Sequence, residues 1–238
     1  MISCGSMPSP SALSGHESMY EEERRQLVHR LKRFGYVKSE KILQAMEKVP
    51  RHEFLPLEAR SHAYVDSPIP IGLGQTISAP HMIGIMLEAL DPQPGNKVLE
   101  IGAGSGYHAA LMGELVRPNG KVYTVERLEA LGLQARETIN RLGFGDVVEV
   151  SIADGSAGLA EHAPYDRITV AAAAPAVPRP LEEQLADNGR LLVPVGDRGY
   201  QDLILVVRRG DHLERSELGG VVFVPLIGQH GYDNSPLP

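Results

Sequence analysis

The pattern of hydrophobic and polar positions predicts strands that alternate with helices through most of the chain. Short apolar runs begin at Val98, Val122, Val147 and Arg167, and a helical segment or a loop separates each run from the next. Such runs are typical of strands buried on both faces of a parallel sheet, and helices between them are typical crossover connections. The sequence therefore predicts an α/β domain built on a mostly parallel sheet.

Apolar residues at helical spacing predict helices over residues 19–34, 39–48, 81–90, 108–116, 128–142 and 178–186. Gly35 and Gly143 are expected to end two of these helices, because glycine tolerates the left-handed conformation found just after a helix. We expect the first two helices to cover one edge of the sheet. Later apolar runs predict strands over residues 190–195, 203–208 and 221–224, and a turn at 209–211 indicates that this edge is antiparallel.

The remaining segments define the predicted domain organisation. Residues 51–81 are irregular but rich in isoleucine and proline, which predicts a functional loop rather than a disordered one. Residues 1–18, rich in Ser, Pro and Gly, are predicted to be a disordered leader. A single domain is expected over 19–227, with helices and substrate loop at 19–90 and the core at 95–227, followed by a tail at 228–238.

Composition restricts the classes of partner. The formal net charge of -7 argues against a general affinity for nucleic acid. The only cysteine, Cys4, cannot form a disulfide framework, which is consistent with a reducing, cytoplasmic setting. No apolar run approaches the length of a membrane span, and the nine histidines form no metal-ligand motif. We therefore expect no nucleic acid partner, no membrane partner and no metal.

A glycine-rich turn follows the first predicted sheet strand. Gly102, Gly104 and Gly106 form a G-x-G-x-G pattern, whereas a dinucleotide fingerprint would carry its third glycine at Tyr107. No Lys-Ser or Lys-Thr pair follows, so a P-loop is excluded. Glycines let the backbone bend sharply and let a ligand approach closely. The turn thus indicates a ligand site without a strong pyrophosphate signal.

Acidic residues stand at or near the ends of three predicted strands. Glu126 follows the second strand, where an acid can hold two ribose hydroxyls. Asp154 follows the third and could accept from an adenine amino group, although an Asp-Gly turn is the alternative. Glu100 places a carboxylate near the glycine turn. S-adenosylmethionine fits this set, because it has adenosine, an ammonium and a sulfonium but no phosphate.

Several segments closely resemble the protein-L-isoaspartate O-methyltransferase family. The most specific is Gly-Gln-Thr-Ile-Ser-Ala-Pro at residues 74–80, whereas most methyltransferases share the glycine turn. The resemblance extends from about Met19 to Leu226 and includes residues 49–54, 61–66, 71–81, 98–107, 163–168, 172–175, 189–194 and 223–226. It implies a Rossmann-like methyltransferase fold with helices on both faces of a twisted sheet, antiparallel strands near the C-terminus and an added N-terminal helical segment.

The resemblance also implies a reaction and its site. A methyl group passes from S-adenosyl-L-methionine to the free α-carboxylate of L-isoaspartyl residues in damaged proteins and peptides, and the ester collapses to a succinimide. Ser78 is the implied residue at the reacting centre, where its hydroxyl orients the acceptor carboxylate. The predicted cofactor-binding residues are Gln75, Thr76, Ile77, Ser78, Glu100, Gly102, Gly104, Ser105, Gly106, Glu126, Arg127, Asp154 and Gly155.

Some alternatives remain open at this stage. Without the resemblance, Ser78 would be interpreted as a loop or N-cap hydroxyl for the helix from His81. His81, Tyr107 and His108 are predicted to serve packing. The rival functions are a methyltransferase with a small-molecule acceptor, a non-catalytic cofactor-binding module and, disfavoured by Tyr107, an NAD-dependent oxidoreductase. We expect a monomer.

Overall fold

The computed structural model describes the backbone of residues 10–233 and the side chains of residues 18–233. The strands are β1 (Ile69–Gly72), β2 (Gln75–Ile77), β3 (Lys97–Ile101), β4 (Lys121–Glu126), β5 (Val148–Ile152), β6 (Tyr165–Val170), β7 (Leu185–Gly196), β8 (Gln201–Arg209) and β9 (His212–Val221). The α-helices are α1 (Pro10–Arg33), α2 (Glu40–Lys48), α3 (Pro80–Leu90), α4 (Tyr107–Val116), α5 (Glu129–Arg141) and α6 (Arg179–Glu183), with short 3-10 helices between some of them.

Seven strands form one twisted sheet in the order β5-β4-β3-β6-β7-β8-β9. The first five strands in this order, β5, β4, β3, β6 and β7, are parallel to one another. Strands β8 and β9 continue the sheet in antiparallel fashion. The chain builds outward from β3 to β5 and then returns to place β6 on the other side of β3. This reversal creates a crevice at the carboxyl ends of β3 and β6, where open α/β sheets bind ligands.

Helices cover both faces of the sheet, as predicted. Successive residues of a strand point to opposite faces, so Val98 packs into the core beneath α3 and α4, while Leu99 packs into the core beneath α6. The predicted fold class is therefore confirmed. The N-terminal helices differ from expectation, because α2 packs against α3 and α4 and not against a sheet edge.

Helix α1 is longer than predicted. It begins at Pro10, so residues 10–18 are helical although we predicted them as part of an irregular leader. Proline is favourable in the first turn of a helix, because its missing N–H would have no intrahelical acceptor there. Gly35, with φ of 74°, ends this region as predicted. The rest of the predicted leader, residues 1–9, lies outside the described residues.

Two elements near the C-terminus were wrongly predicted. Helix α6 ends at Glu183 rather than at residue 186, because the Gln184 carbonyl accepts from the Tyr165 amide and Leu185 pairs with Tyr165 in the sheet. The last strand is β9 and not residues 221–224. It was missed because it lies at the sheet edge with mostly exposed residues, such as Glu214 and Arg215, which leave no apolar alternation.

The irregular region before the core contains structure that periodicity did not reveal. Strands β1 and β2 form a hairpin whose tip is Leu73-Gly74, and Ile69 pairs with Ile77 across it. Three-residue and four-residue strands are too short for a periodic signal. The hairpin leads directly into Ser78 and α3. Within the described part of the chain, no helix is both long and apolar enough to cross a membrane.

Candidate active site

A cleft of about 870 Å³ lies at the carboxyl ends of the central strands, beneath the β1–β2 hairpin. All the residues predicted to bind cofactor line the cleft, with the exceptions of Gly106 and Asp154. The structure therefore brings together residues from the substrate loop, the glycine turn and the tips of β3 and β4, which lie far apart in sequence.

The glycine turn has the backbone conformations that its composition predicts. Gly102, Gly104 and Gly106 have φ values of 93°, 53° and 88°. Residues that carry a side chain rarely adopt such positive φ values. A Cβ on Gly104 would lie 3.4 Å from the Ile71 side chain, so the turn and the hairpin pack closely. Gly106 instead begins α4 and faces α5, where a Cβ would lie 3.0 Å from Ile139. Its role is helix packing rather than contact with the cleft.

Glu126 fixes the glycine turn from the tip of β4. Its Oε2 accepts from the Gly104 amide at 2.9 Å and its Oε1 accepts from the Leu128 amide at 3.0 Å. The side chain is buried and lines the cleft. Each carboxylate oxygen has a second lone pair, so both remain able to accept from the two hydroxyls of a ribose.

Glu100 lies in the floor of the cleft and is completely buried. Its Oε2 accepts from the Thr124 hydroxyl at 2.6 Å, and its Oε1 lies 2.9 Å from Nδ1 of His108. His108 also lines the cleft, whereas the sequence predicted a packing role for it. No local sequence pattern predicts this contact, because residues 100 and 108 meet only when α4 folds back over β3.

Asp154 does not line the cleft. It is exposed, and its Oδ1 accepts from the Ser156 amide at 2.9 Å, while its Oδ2 accepts from the Gln229 amide at 2.8 Å. Burial alone would raise the pKa of Asp154, but the hydrogen bonds from Gln229 and Ser156 outweigh it and hold this pKa below its ordinary value. The structure thus supports the turn interpretation of Asp154 and places Gly155 at the cleft instead.

The segment that precedes the predicted tail forms one wall of the cleft. Residues 224–227 line it, and the Leu226 amide donates to the Ala173 carbonyl at 2.7 Å. Ala171 and Ala172, which follow β6, line the cleft beside this segment. The small side chains leave room that larger ones would fill.

Ser78 lines the cleft between β2 and α3. The N-cap of α3 is Ala79, so the alternative in which Ser78 caps this helix is wrong. Asp66 instead satisfies a backbone amide in the first turn of the helix, because its carboxylate accepts from the His81 amide at 2.9 Å. The same Asp66 oxygen lies 2.9 Å from Nδ1 of His81, which gives His81 a polar role beyond packing.

Arg51 holds the backbone of Ser78 from below. Its Nη2 donates to the Ser78 carbonyl at 2.9 Å, its Nε donates to the Ala63 carbonyl at 2.9 Å, and its guanidinium lies 5.1 Å from the centre of the Tyr107 ring. Burial lowers the pKa of Arg51 to about 10, so the group stays charged at neutral pH. It connects the substrate loop with the start of α4.

The described residues contain no set of side chains arranged as metal ligands. Among them, no group of three or more His, Cys, Asp or Glu side chains is arranged to hold a metal ion. The polar groups of the cleft include backbone amides, carboxylates, hydroxyls and the His108 imidazole, which suit a nucleoside with a positively charged amino acid portion.

These features define the class of protein. A mostly parallel sheet with a glycine turn after its first strand and an acid at the tip of the next is the arrangement of a Rossmann-like methyltransferase that uses S-adenosylmethionine. The model of the family described as "Protein-L-isoaspartate(D-aspartate) O-methyltransferase (PCMT)" matches residues 22–231. The chain belongs to this family, and the predictions of family, fold class, reaction and cofactor are confirmed.

Relatives named protein-L-isoaspartate O-methyltransferase are similar over most of their lengths. The Methanopyrus kandleri protein is 53% identical over 217 residues, which cover 91% of this chain and 96% of the relative. The Aeropyrum pernix protein is 54% identical over 215 residues, which cover 90% of this chain and 82% of the relative. This similarity extends well beyond the glycine turn and includes the substrate loop.

Solved structures with the same name share the fold. The crystal structure of a Plasmodium falciparum protein described as a protein-L-isoaspartate O-methyltransferase, in complex with S-adenosyl-L-homocysteine, matches with a TM-score of 0.77 and 28% identity, covering 86% of this chain and 98% of that one. A second protein-L-isoaspartate O-methyltransferase structure matches with a TM-score of 0.79 and 31% identity, covering 87% of this chain and 67% of that one.

Proposed function

We propose that this chain uses Ser78 and the surrounding cleft to methylate the free α-carboxylate of L-isoaspartyl residues in damaged proteins, which starts their repair through a succinimide. The observation that carries this proposal is the shared cleft. Ser78 and the nucleoside-binding elements line it together, although Ser78 precedes Glu126 by nearly 50 residues in the sequence. A purely cofactor-binding module would need only the nucleoside side of this cleft.

The cofactor side of the cleft fits S-adenosylmethionine, which supplies a transferable methyl group on sulfur. The glycine turn offers backbone at close range, since Gly104 has no side chain between the turn and the hairpin. Glu126 has lone pairs left for the ribose hydroxyls, and the fully buried Glu100 favours a positively charged group nearby. Gln75, Thr76 and Arg127 form the outer walls.

The acceptor side requires positioning more than acid–base chemistry. A carboxylate is already ionised at neutral pH and needs no base to become a nucleophile. Ser78 donates a hydrogen bond that orients this carboxylate, while Arg51 holds the Ser78 carbonyl in place. Alignment of the reacting atoms and exclusion of water can account for much of a rate enhancement of this kind.

A peptide methylation assay tests the proposal. A synthetic peptide that contains one L-isoaspartyl residue, incubated with methyl-labelled S-adenosylmethionine, is expected to acquire base-labile label. The same peptide with ordinary aspartate is the matched control and is expected to stay unlabelled. Equal labelling of both peptides, or labelling of neither, would overturn the assignment.

A Ser78→Ala variant then tests the role of the hydroxyl. We expect kcat to fall by at least tenfold with the cofactor dissociation constant changed less than twofold, because the lost hydrogen bond acts on the acceptor. Ser61→Ala, at an exposed serine of the substrate loop that does not line the cleft, is the control for a nonspecific loop effect. If Ser78→Ala weakens only cofactor binding, Ser78 belongs to the cofactor wall.

We also propose that the enzyme is a cytoplasmic monomer without nucleic acid partners. The edge strand β9 carries exposed charged residues such as Glu217, and charges on an edge strand oppose pairing with a second sheet. The negative net charge and the single cysteine support the other two assignments. Light scattering of the purified protein is expected to give the mass of one chain, and twice that mass would contradict the monomer.

A further inference from the structure

A row of polar side chains crosses the centre of the sheet directly below the cleft. Glu100 of β3 is in register with Thr124 of β4 and with Thr169 of β6, so the three side chains point to the same face. All three residues are fully buried. The residues that precede Glu100 and Thr124 on this face, Val98 and Val122, are apolar. A buried polar row in such a position requires internal partners or a ligand.

The partners found within the described residues leave the row incompletely satisfied. Thr124 donates to Oε2 of Glu100, but Oε1 of Glu100 and Oγ1 of Thr169 have no hydrogen-bond partner in good geometry there. Nδ1 of His108 lies 2.9 Å from Oε1, and Nε2 of His108 likewise has no hydrogen-bond partner among the described residues. Both Glu100 and His108 line the cleft, so a ligand there could complete their bonding.

We propose that His108 is a positioning residue that holds the Glu100 carboxylate in place at the floor of the cleft, where it attracts the positively charged amino group of the cofactor. The inference rests on the proposed position of the cofactor in the cleft. A carboxylate buried in an apolar interior needs polar partners that compensate for the lost water. Thr124 supplies one donor to Oε2, and His108 supplies the polar contact at Oε1.

Three ligands separate this electrostatic role from a structural one. S-adenosylmethionine and S-adenosylhomocysteine both carry the amino group, and only the former carries the sulfonium. Methylthioadenosine keeps the nucleoside but lacks both charges. If His108 acts through Glu100, its loss weakens binding of the two charged ligands and leaves methylthioadenosine unaffected. A change that merely disturbs α4 would weaken binding of all three.

The variants are His108→Leu, which removes both nitrogens, and His108→Asn, which keeps a donor at the position of Nδ1. Isothermal calorimetry is expected to give about tenfold weaker binding of S-adenosylmethionine and S-adenosylhomocysteine to His108→Leu, the scale for a lost interaction with a charged group. Binding of methylthioadenosine is expected to stay within twofold. His108→Asn is expected to recover most of the affinity.

Thr124→Val supplies a second, independent variant on the other side of Glu100. It removes the donor to Oε2 without changing a residue that lines the cleft, and the same ligand pattern is expected. If His108→Leu fails to fold, His108→Asn and Thr124→Val decide the question. The inference would be overturned if a variant lost the same affinity for all three ligands. It would also be overturned if His108→Leu and Thr124→Val both bound the two charged ligands as tightly as the unmodified protein. Failure of the unmodified protein to bind S-adenosylmethionine would instead overturn the proposed function.

Discussion

At the scale of single residues, Glu126 combines two tasks that are usually separate. Its carboxylate receives the backbone amides of Gly104 and Leu128, and it also faces the cleft. The first task shapes the glycine turn, and the second leaves lone pairs for the ribose. Substitution of Glu126 should therefore affect both the stability of the turn and the affinity for the cofactor.

We expect Glu126→Ala to weaken binding of S-adenosylhomocysteine by about 1–3 kcal/mol, the scale for removing a buried hydrogen-bond partner. Glu126→Gln, which keeps one carbonyl acceptor, should lose less. Calorimetry measures both values, and Glu129→Ala, an exposed acid in the first turn of α5, is the control. Unchanged affinity in Glu126→Ala would place the ribose elsewhere.

At the scale of elements, the active site depends on contacts between segments that are remote in sequence. The 3-10 helix over residues 51–54 supplies Arg51, which reaches both the carbonyl of Ser78 and the ring of Tyr107 at the start of α4. This side chain ties the acceptor side of the cleft to the cofactor side. The hydrogen bonds of this buried cation go to backbone carbonyls, which gives Arg51 a positioning role.

Arg51→Lys tests this connection. Lysine keeps the charge, but its single ammonium cannot reach both carbonyls that the planar guanidinium bridges. We expect a loss of about 1–3 kcal/mol in unfolding free energy, from one buried carbonyl left unsatisfied. KM for the isoaspartyl peptide should rise at least fivefold while the cofactor affinity stays within twofold. Arg60→Lys, in a partly exposed pair with Glu53, is the matched control; equal effects in both variants would contradict the assigned role.

The contrast between β3 and β9 shows which elements a sequence can predict. Strand β3 is an apolar run that ends in glycines, and both its position and the glycine turn after it were predicted correctly. Strand β9 has an exposed, charged surface and owes its conformation to pairing with β8, which no local pattern reveals. The same reason applies to the site. Composition at strand ends indicated Glu126, while His108 and residues 224–227 join the cleft only through tertiary packing.

At the scale of the whole molecule, a buried histidine joins helix α1 to the substrate loop. His52 stacks on Tyr20 of α1 with ring centres 4.1 Å apart, and its Nδ1 lies 2.8 Å from the hydroxyl of Tyr64. Burial lowers the pKa of His52 to about 4, although the neighbouring carboxylate of Glu53 acts in the opposite direction. Folding therefore selects neutral His52, and protonation of this ring favours the unfolded chain.

The sign of the pH dependence follows from linkage. The stabilisation that His52 provides is complete above its unfolded pKa of 6.5 and is lost as the pH falls toward about 4. We expect the unfolding free energy to decrease by about 2–3 kcal/mol over this range, since each unit of pKa difference is worth about 1.4 kcal/mol. Urea denaturation at half-unit pH steps measures the decrease.

His52→Gln, which cannot titrate, separates this effect from that of the acids. Burial would raise the pKa of Glu53, but its contacts with Arg141 and Arg60 outweigh burial and hold the value below 4.5. The stability due to Glu53 is thus present above its ordinary pKa and is lost only as the pH falls below that value. His52→Gln should lower stability at neutral pH, because the stacked ring is gone, and should have a flat profile from pH 6.5 to about 5. A variant that keeps the slope of the unmodified protein in that range would assign the pH dependence to groups other than His52.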